Sequence, residues 1–204
     1  MTYQQEKAEA TRQQVLQAAL KVFHRKGYSA TTLADVAAEA KLSRGAIYWN
    51  FANKQDLYVE LVREYFKNNI HDLLLAHSSQ IGDPVEALRD YMYSFNLNVV
   101  ANADVRDFME LIRYKTEVKT LSEDVLAVQQ KMDLLIKDAL KSLIRRGREQ
   151  ALLRTDMDEA TMVMAALSYL NGIESTWLFN PKIYPLNKAR LRVLIDFFIE
   201  SIKA

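Results

Sequence analysis

Residues Thr31 to Asp56 read TTLADVAAEAKLSRGAIYWNFANKQD, and the capping residues in this run leave little choice of local structure. Two short helices joined by a tight turn are expected, with a third helix beginning behind them. Thr32-Leu33-Ala34-Asp35 has the form of a capping box, in which hydroxyl and carboxylate satisfy backbone donors left free at a helix start; Thr31 is the alternative cap. Leu33, Val36, Ala37 and Ala40 recur three or four apart, the buried stripe of a short amphipathic helix. After a turn at Lys41-Leu42, Ser43 is placed to cap the second helix. Ile47 and Phe51 of that helix point back to the same core, leaving Arg44, Gly45, Ala46, Tyr48 and Trp49 to face outward or flank it.

Such a helix-turn-helix lays its second helix in the major groove of a duplex, first residues against base edges, while the first helix crosses the phosphate backbone. Arg44 is the long cation at that tip. Its forked guanidinium matches the two acceptors on the edge of guanine, a contact worth roughly 1 to 3 kcal/mol of discrimination. Gly45 and Ala46 lack bulk and permit close approach, although a Gly inside a helix costs about 1 kcal/mol relative to Ala. Thr32, Ser43, Tyr48 and Lys54 stand at or near helix N-termini, where hydroxyls, an ammonium and free N–H groups suit phosphate. Each of these has a plainer role open to it: a cap for Thr32 and Ser43, a core aromatic for Tyr48, a solvated surface charge for Lys54. Together and in this order they favour nucleic-acid binding.

Residues from about Thr11 to Leu61 resemble the DNA-binding domain of the tetracycline-repressor (TetR) family. The resemblance rests on Thr11-Arg12, Ala18-Ala19 and Phe23, then Gly27-Tyr28, Thr31-Thr32-Leu33 with Asp35-Val36-Ala37, then Ser43 to Trp49 with Phe51, and Lys54 with Leu57. The Arg-Gly-Ala-Ile-Tyr-Trp run, with Gly172 and Trp177-Leu178-Phe179, is most similar to the acriflavine-resistance-regulator (AcrR) branch, whose members repress multidrug efflux pumps. Two positions depart from the family pattern. Lys41 stands where a turn Gly is usual, so a left-handed backbone there carries a penalty of roughly 1 to 2 kcal/mol. Asn50 stands where His is common.

Composition agrees with an all-α protein. Half of the 204 residues are hydrophobic, and there are only five Gly and three Pro, so one or two helical domains with a sizeable core are expected. Cys is absent, which excludes disulfides and thiolate metal sites. The polar start MTYQQEKAEATRQQ is unlike a secretory signal, and no apolar run approaches the roughly 20 residues of a membrane span; a soluble cytoplasmic protein with no membrane association is expected. The net charge of +1 is unevenly spread: residues 1–54 hold five Lys and three Arg against three Glu and one Asp, whereas residues 55–204 hold 19 basic and 22 acidic side chains. Modest positive charge at the head implies few phosphate contacts per subunit, so useful affinity calls for two heads on one duplex.

The remaining chain reads as long helices. Val15, Leu16, Ala19, Leu20, Val22 and Phe23 give the first helix its apolar face and Gly27 its C-cap. Asn53 with Asp56 starts a helix running to about Ala76, long enough to link the head rigidly to the C-terminal part of the chain. Ser78 to Gly82 breaks the pattern, and Asp83-Pro84-Val85-Glu86 restarts it. Further helices are expected at about 84–101, 104–117, 121–149, 156–179 and 187–203. The expected organisation is a three-helix DNA-binding head, residues 1–54, and a helical effector-binding and dimerisation domain, residues 55–204.

Met164, Leu167, Leu170, Ile173 and Trp177 line one of the last two helices, and Leu191, Leu194, Ile195, Phe198 and Ile202 the other, with Phe197 outside that stripe. They serve either one subunit's core or a dimer, and the resemblance favours the dimer, because this family pairs its last two helices into a four-helix interface. Two-fold symmetry then predicts a near-palindromic operator. By resemblance to the drug-binding regulators, Met109, Arg113, Asn171 and Glu174 face an effector cavity, with Phe95 as an aromatic wall. Arg113 and Glu174, if buried, need partners, which each can be for the other. The effector is expected to be hydrophobic or amphipathic. No cofactor or metal is implied: His24, His71 and His77 lack metal spacing or a nucleophile partner, and there is no Gly-rich phosphate loop, so an enzyme is not expected. The alternative to a regulator is a helical adaptor that uses the same head for protein contacts.

Overall fold

A computed structural model describes residues 3–78, 82–116 and 121–204. Helices α1 (Tyr3–Lys26), α2 (Leu33–Ala40), α3 (Arg44–Asn50) and α4 (Lys54–Phe66) come first. A π-helical stretch, Lys67–His71, leads into α5 (Asp72–Ser78). Then come α6 (Pro84–Ala101), α7 (Ala103–Tyr114), α8 (Glu123–Glu149), α9 (Glu159–Phe179) and α10 (Lys188–Ile202). Among the described residues the fold is all-α, with one isolated antiparallel bridge, Leu153 with Lys203. The helix expected from 54 to about 76 is interrupted: the backbone stays helical through Phe66 and Asp72 but takes i→i+5 bonding between them, a local insertion that periodicity does not reveal. The break expected at Ser78 to Gly82 and the helix end expected at 117 fall wholly or partly outside the described residues, as does the side chain of His77.

The chain forms two compact units, Met1–Tyr65 with Asp104–Gln130, and Phe66–Ala103 with Lys131–Ala204. In the first, Val15, Leu16, Leu20 and Phe23 of α1, Val36 and Ala37 of α2, Ile47 of α3 and Leu57, Tyr58 and Leu61 of α4 are all nearly inaccessible, with α1 packed on α2 and α2 on α3. Phe23, Tyr28 and Tyr58 form an aromatic cluster with centroids 4.8 to 5.7 Å apart. The Tyr58 hydroxyl reaches Thr116 Oγ1 at 2.9 Å, and Thr116 donates to the Leu111 carbonyl; burial pushes the Tyr58 phenol up to about 12. This unit thus includes α7 from later in the chain beside the first helices.

The second unit is built on α6, which packs against α5, α9 and α10. Asp83 caps α6 by accepting from the Val85 and Glu86 amides, with Pro84 at the first position, as the sequence implies. Arg89, only 12% exposed, ties α6 to α10 through Asp196 at 3.1 Å and Glu200 at 3.3 Å while pairing with Glu86 on its own helix. The chain end is clipped down: the Arg154 amide donates to the Ile202 carbonyl and the Ala204 amide to the Leu152 carbonyl. Gly147 is required there by space, since a Cβ would lie 2.7 Å from Leu153 Cδ1.

Helix pairing in this unit corrects one sequence reading. Leu191, Ile195, Phe198 and Ile202 are buried within the chain's own core, as is Leu170, whereas Met164, Phe179, Val193 and Phe197 are 67 to 77% exposed. Periodicity finds the most apolar face, and that is the face a single subunit buries first. The second face of α9 and α10 is betrayed only by its surplus of exposed apolar side chains.

Candidate nucleic-acid interface

Both caps form. The Thr32 hydroxyl accepts from the Asp35 amide at 3.2 Å and the Asp35 carboxylate accepts from the Thr32 amide at 3.0 Å, completing the box; Thr31 is instead buried and donates to the Gly27 carbonyl. Asp35 is also held by Lys26 Nζ at 2.6 Å, and these bonds keep its carboxyl at about 2. The Thr32 hydroxyl proton points to Asp35 at 2.8 Å, so this residue orders α2 more than it offers a donor to a ligand. The turn after α2 is a Schellman motif: the Leu42 amide donates to the Ala37 carbonyl at 3.0 Å and the Lys41 amide to Ala38 at 3.2 Å. Lys41 itself sits at φ 55, ψ 39, the left-handed backbone that a glycine usually takes.

Ser43 caps α3 by accepting from the Ala46 amide at 3.2 Å, which leaves its own proton available. Ile47 and Phe51 are buried beneath α3 and anchor it. Outward stand Arg44, Gly45, Tyr48 and Trp49, the tyrosine 59% and the tryptophan 89% exposed. Arg44 makes no hydrogen bond or ion pair among the described residues. A Cβ on Gly45 would meet only Ser43 Oγ at 3.8 Å, so the protein's own packing does not demand glycine here. A helix that accepts that penalty and turns a bare backbone outward suits close approach by a partner. Asn50 donates from Nδ2 to the Ala46 carbonyl at 2.8 Å and thereby closes the helix.

Lys54 is placed differently from the free clamp expected of it. Its ammonium donates to the Tyr28 and Ser29 carbonyls at 2.9 and 3.0 Å and lies 4.7 Å from the Tyr28 ring centroid; partial burial lowers its pKa. It braces the connection between α1 and α2 against the start of α4. Charge elsewhere in the head is also committed: Arg12 to Glu60, Arg25 to Glu39, Lys26 to Asp35. Lys7, Lys21, Lys41 and Arg44 remain without a side-chain partner among the described residues. In the sequence Lys41 marks only a missing glycine, yet its exposed ammonium sits two residues before the α3 cap.

The five residues expected to face an effector divide between the units. Met109 is buried and Arg113 exposed in the first; Phe95 and Glu174 are buried and Asn171 half-buried in the second. Arg113 is exposed in the last turn of α7, so burial does not oblige it to take Glu174 as its partner. A groove of about 450 Å³ opens on α9, α10 and their connection, walled by Tyr169, Ile173, Trp177, Tyr184, Arg190 and Leu194. None of the five expected residues lines it. Gly172 does, and nothing of its own chain lies within 4 Å of where a Cβ would stand.

The family model for bacterial regulatory proteins of the tetR family matches residues 15–61, spanning this interface, and that for the C-terminal region of MAATS-type transcriptional repressors matches residues 83–204. The chain belongs to the tetR family. It is 31% identical to the regulator AcrR of Shigella flexneri, over 95% of this chain and 92% of that one. It is 30% identical to TtgR of Pseudomonas putida, over 86% and 84%. In fold it is similar to NalD, the secondary repressor of the MexAB-OprM multidrug efflux pump in Pseudomonas aeruginosa, with a TM-score of 0.80, 22% identity and coverage of 97% and 98%. The structure of a SmeT–triclosan complex is similar at a TM-score of 0.81, 24% identity and coverage of 96% and 92%. This tetR-family regulator is thus a helix-turn-helix transcriptional repressor. No helix among the described residues is long and apolar enough to cross a membrane.

Proposed function

We propose that this regulator acts in the cytoplasm as a homodimer, its two heads on a near-palindromic operator beside an efflux-transporter operon, and that a hydrophobic or amphipathic compound releases it. Residues 1–54 carry DNA recognition and residues 55–204 effector binding and dimerisation. The observation that supports this most is the uncommitted Arg44 guanidinium at the tip of α3, with Ser43 and Tyr48 hydroxyls and the flat face of Trp49 beside it. Arg44 reads a guanine edge, Gly45 and Ala46 allow the approach, and Ser43, Tyr48 and Trp49 touch backbone. Thr32 and Lys54 hold the two flanking helices in place; Lys54 keeps one ammonium N–H for phosphate, and Thr32 serves through the α2 N-terminus that it caps. Phe95, Met109, Arg113, Asn171 and Glu174 contact the effector. The exposed Met164, Phe179, Val193 and Phe197 meet their two-fold mates. Differential affinity of the compound for a form with differently spaced heads drives release.

The relatives support the choice of regulated genes and effector class: a secondary repressor of an efflux pump and a triclosan complex stand among the structural neighbours. The test is a duplex selected by the full-length protein from a random-sequence pool. Arg44→Ala lowers affinity for that duplex by roughly 5- to 150-fold per head, the equivalent of about 1 to 3 kcal/mol, while salt-dependent binding to random DNA persists. Equal loss on both duplexes removes Arg44 as a base reader.

A further inference from the structure

The groove on α9 and α10 has fixed walls. Residues 180–187 join the two helices and are pinned at both ends. Asn180 accepts from the Ile183 amide at 3.1 Å through its side chain and from the Tyr184 amide at 3.0 Å through its carbonyl. Asn187 accepts from the Arg190 amide at 2.9 Å and so starts α10, while the Arg190 guanidinium donates back to the Pro185 carbonyl. Two of the protein's three prolines, Pro181 and Pro185, fall in this short stretch and restrict its backbone further. The helices themselves are held together by Tyr169, whose hydroxyl donates to the Leu194 carbonyl at 2.8 Å and whose ring stacks on Phe198 with centroids 5.0 Å apart.

At about 450 Å³, the groove falls within the range of small-molecule sites, roughly 300 to 1,000 Å³. Its walls are aromatic and carry one charge. Tyr169, Trp177 and Tyr184 supply three rings, and among the described residues that line the groove Arg190 alone is charged. No carboxylate answers that guanidinium. It enters no ion pair among the described residues, and the first turn of α10 holds no acid. Asp196, the first acid along α10, is held by Arg89 and Arg192. The bond to Pro185 uses one nitrogen of the fork, and the remaining N–H groups match the two oxygens of a carboxylate.

Gly172 gives a second, independent indication. It stands in the interior of α9, where glycine weakens a helix, yet its own chain leaves the space beside it open. Internal packing does not require the missing side chain; an occupant lying against the helix does. Met164, Phe179, Val193 and Phe197, the exposed residues assigned to the two-fold contact, do not line the groove. A purely apolar patch fits a second copy of the chain, whereas an aromatic cleft with an unanswered cation fits an anion that carries a ring.

We propose that this groove is a second small-molecule site, one that takes an aromatic carboxylate. The ring of the ligand lies among Tyr169, Trp177 and Tyr184, and its carboxylate pairs with Arg190. Phe95, Met109, Arg113, Asn171 and Glu174, proposed above to contact the releasing compound, do not line the groove. The inference therefore goes beyond that reading, and its test involves no DNA.

The experiment is calorimetric titration of full-length protein with 2-naphthoate and with the uncharged 2-naphthalenemethanol, which keeps the ring and lacks the carboxylate. Wild type binds the acid roughly tenfold more tightly than the alcohol, as a hydrogen bond between charged partners implies. Arg190→Gln brings the acid down to the level of the alcohol and leaves the alcohol unchanged. Lys188→Gln, which removes a neighbouring cation that does not line the groove, shifts affinity for the acid by less than about twofold, because an exposed charge at that distance is screened. Gly172→Leu places a side chain where the chain has room for one, keeps helix content by circular dichroism, and abolishes binding of both compounds. Equal affinity of wild type for acid and alcohol, unaltered acid binding in Arg190→Gln or Gly172→Leu, or the same loss in Lys188→Gln as in Arg190→Gln overturns the site. Sedimentation of wild type is the same with and without saturating acid; a dimer that the acid splits into monomers would give the groove to the partner copy and overturn the proposal.

Discussion

Lys41 offers a direct measurement of strain at the turn of the helix-turn-helix. At φ 55, ψ 39 it occupies the left-handed region, where a Cβ crowds the neighbouring carbonyl and costs roughly 1 to 2 kcal/mol. Replacing it by glycine removes that penalty but loosens the unfolded chain, which offsets about 0.4 to 1 kcal/mol. The balance is a gain of about 0.5 to 1 kcal/mol for Lys41→Gly, or a rise in Tm of roughly 1 to 4 °C for a chain of this size. Lys41→Ala is the matched control: it keeps the Cβ and deletes the ammonium, so it stays within about 0.5 kcal/mol of wild type. Calorimetry of DNA-free protein separates the two. On random DNA both variants show the same shallower salt dependence, because both lose one cation per head. Equal stability of the Gly and Ala variants, or a less stable Gly variant, would refute the assignment of strain to this backbone.

Gly147→Ala drives a methyl into Leu153 and destabilises by about 1 to 3 kcal/mol in chemical unfolding; adding Leu153→Val recovers part of the loss. Phe197→Glu, on the exposed face of α10, leaves helix content unchanged by circular dichroism but converts the proposed dimer to monomer in sedimentation. A variant that remains dimeric places the interface elsewhere.

The head is legible in the sequence because its signals are local. Capping at Thr32 and Ser43 acts over three residues, and the stripe through Val36, Ala37 and Ala40 over two turns. Lys54 escapes such reading for the converse reason: the carbonyls it binds, at Tyr28 and Ser29, lie 26 and 25 positions away. The contact of His24 with Glu110 shows even less, since the two are 86 residues apart and no spacing rule reaches that far. The π-helical stretch at Lys67–His71 leaves apolar periodicity nearly intact and so passes as ordinary helix. On α9 and α10 a single apolar stripe is visible where two faces exist, because core burial and docking use the same chemistry at different angles around one axis.

The protein holds only two tryptophans, and the fold sets them on separate tasks. Trp49 projects from α3 into solvent, whereas Trp177 walls the groove between α9 and α10. Each indole is thus a native optical reporter. In Trp177→Phe protein, emission tracks the arrival of a duplex; in Trp49→Phe protein, it tracks events in the groove of the second unit, with no dye attached to either.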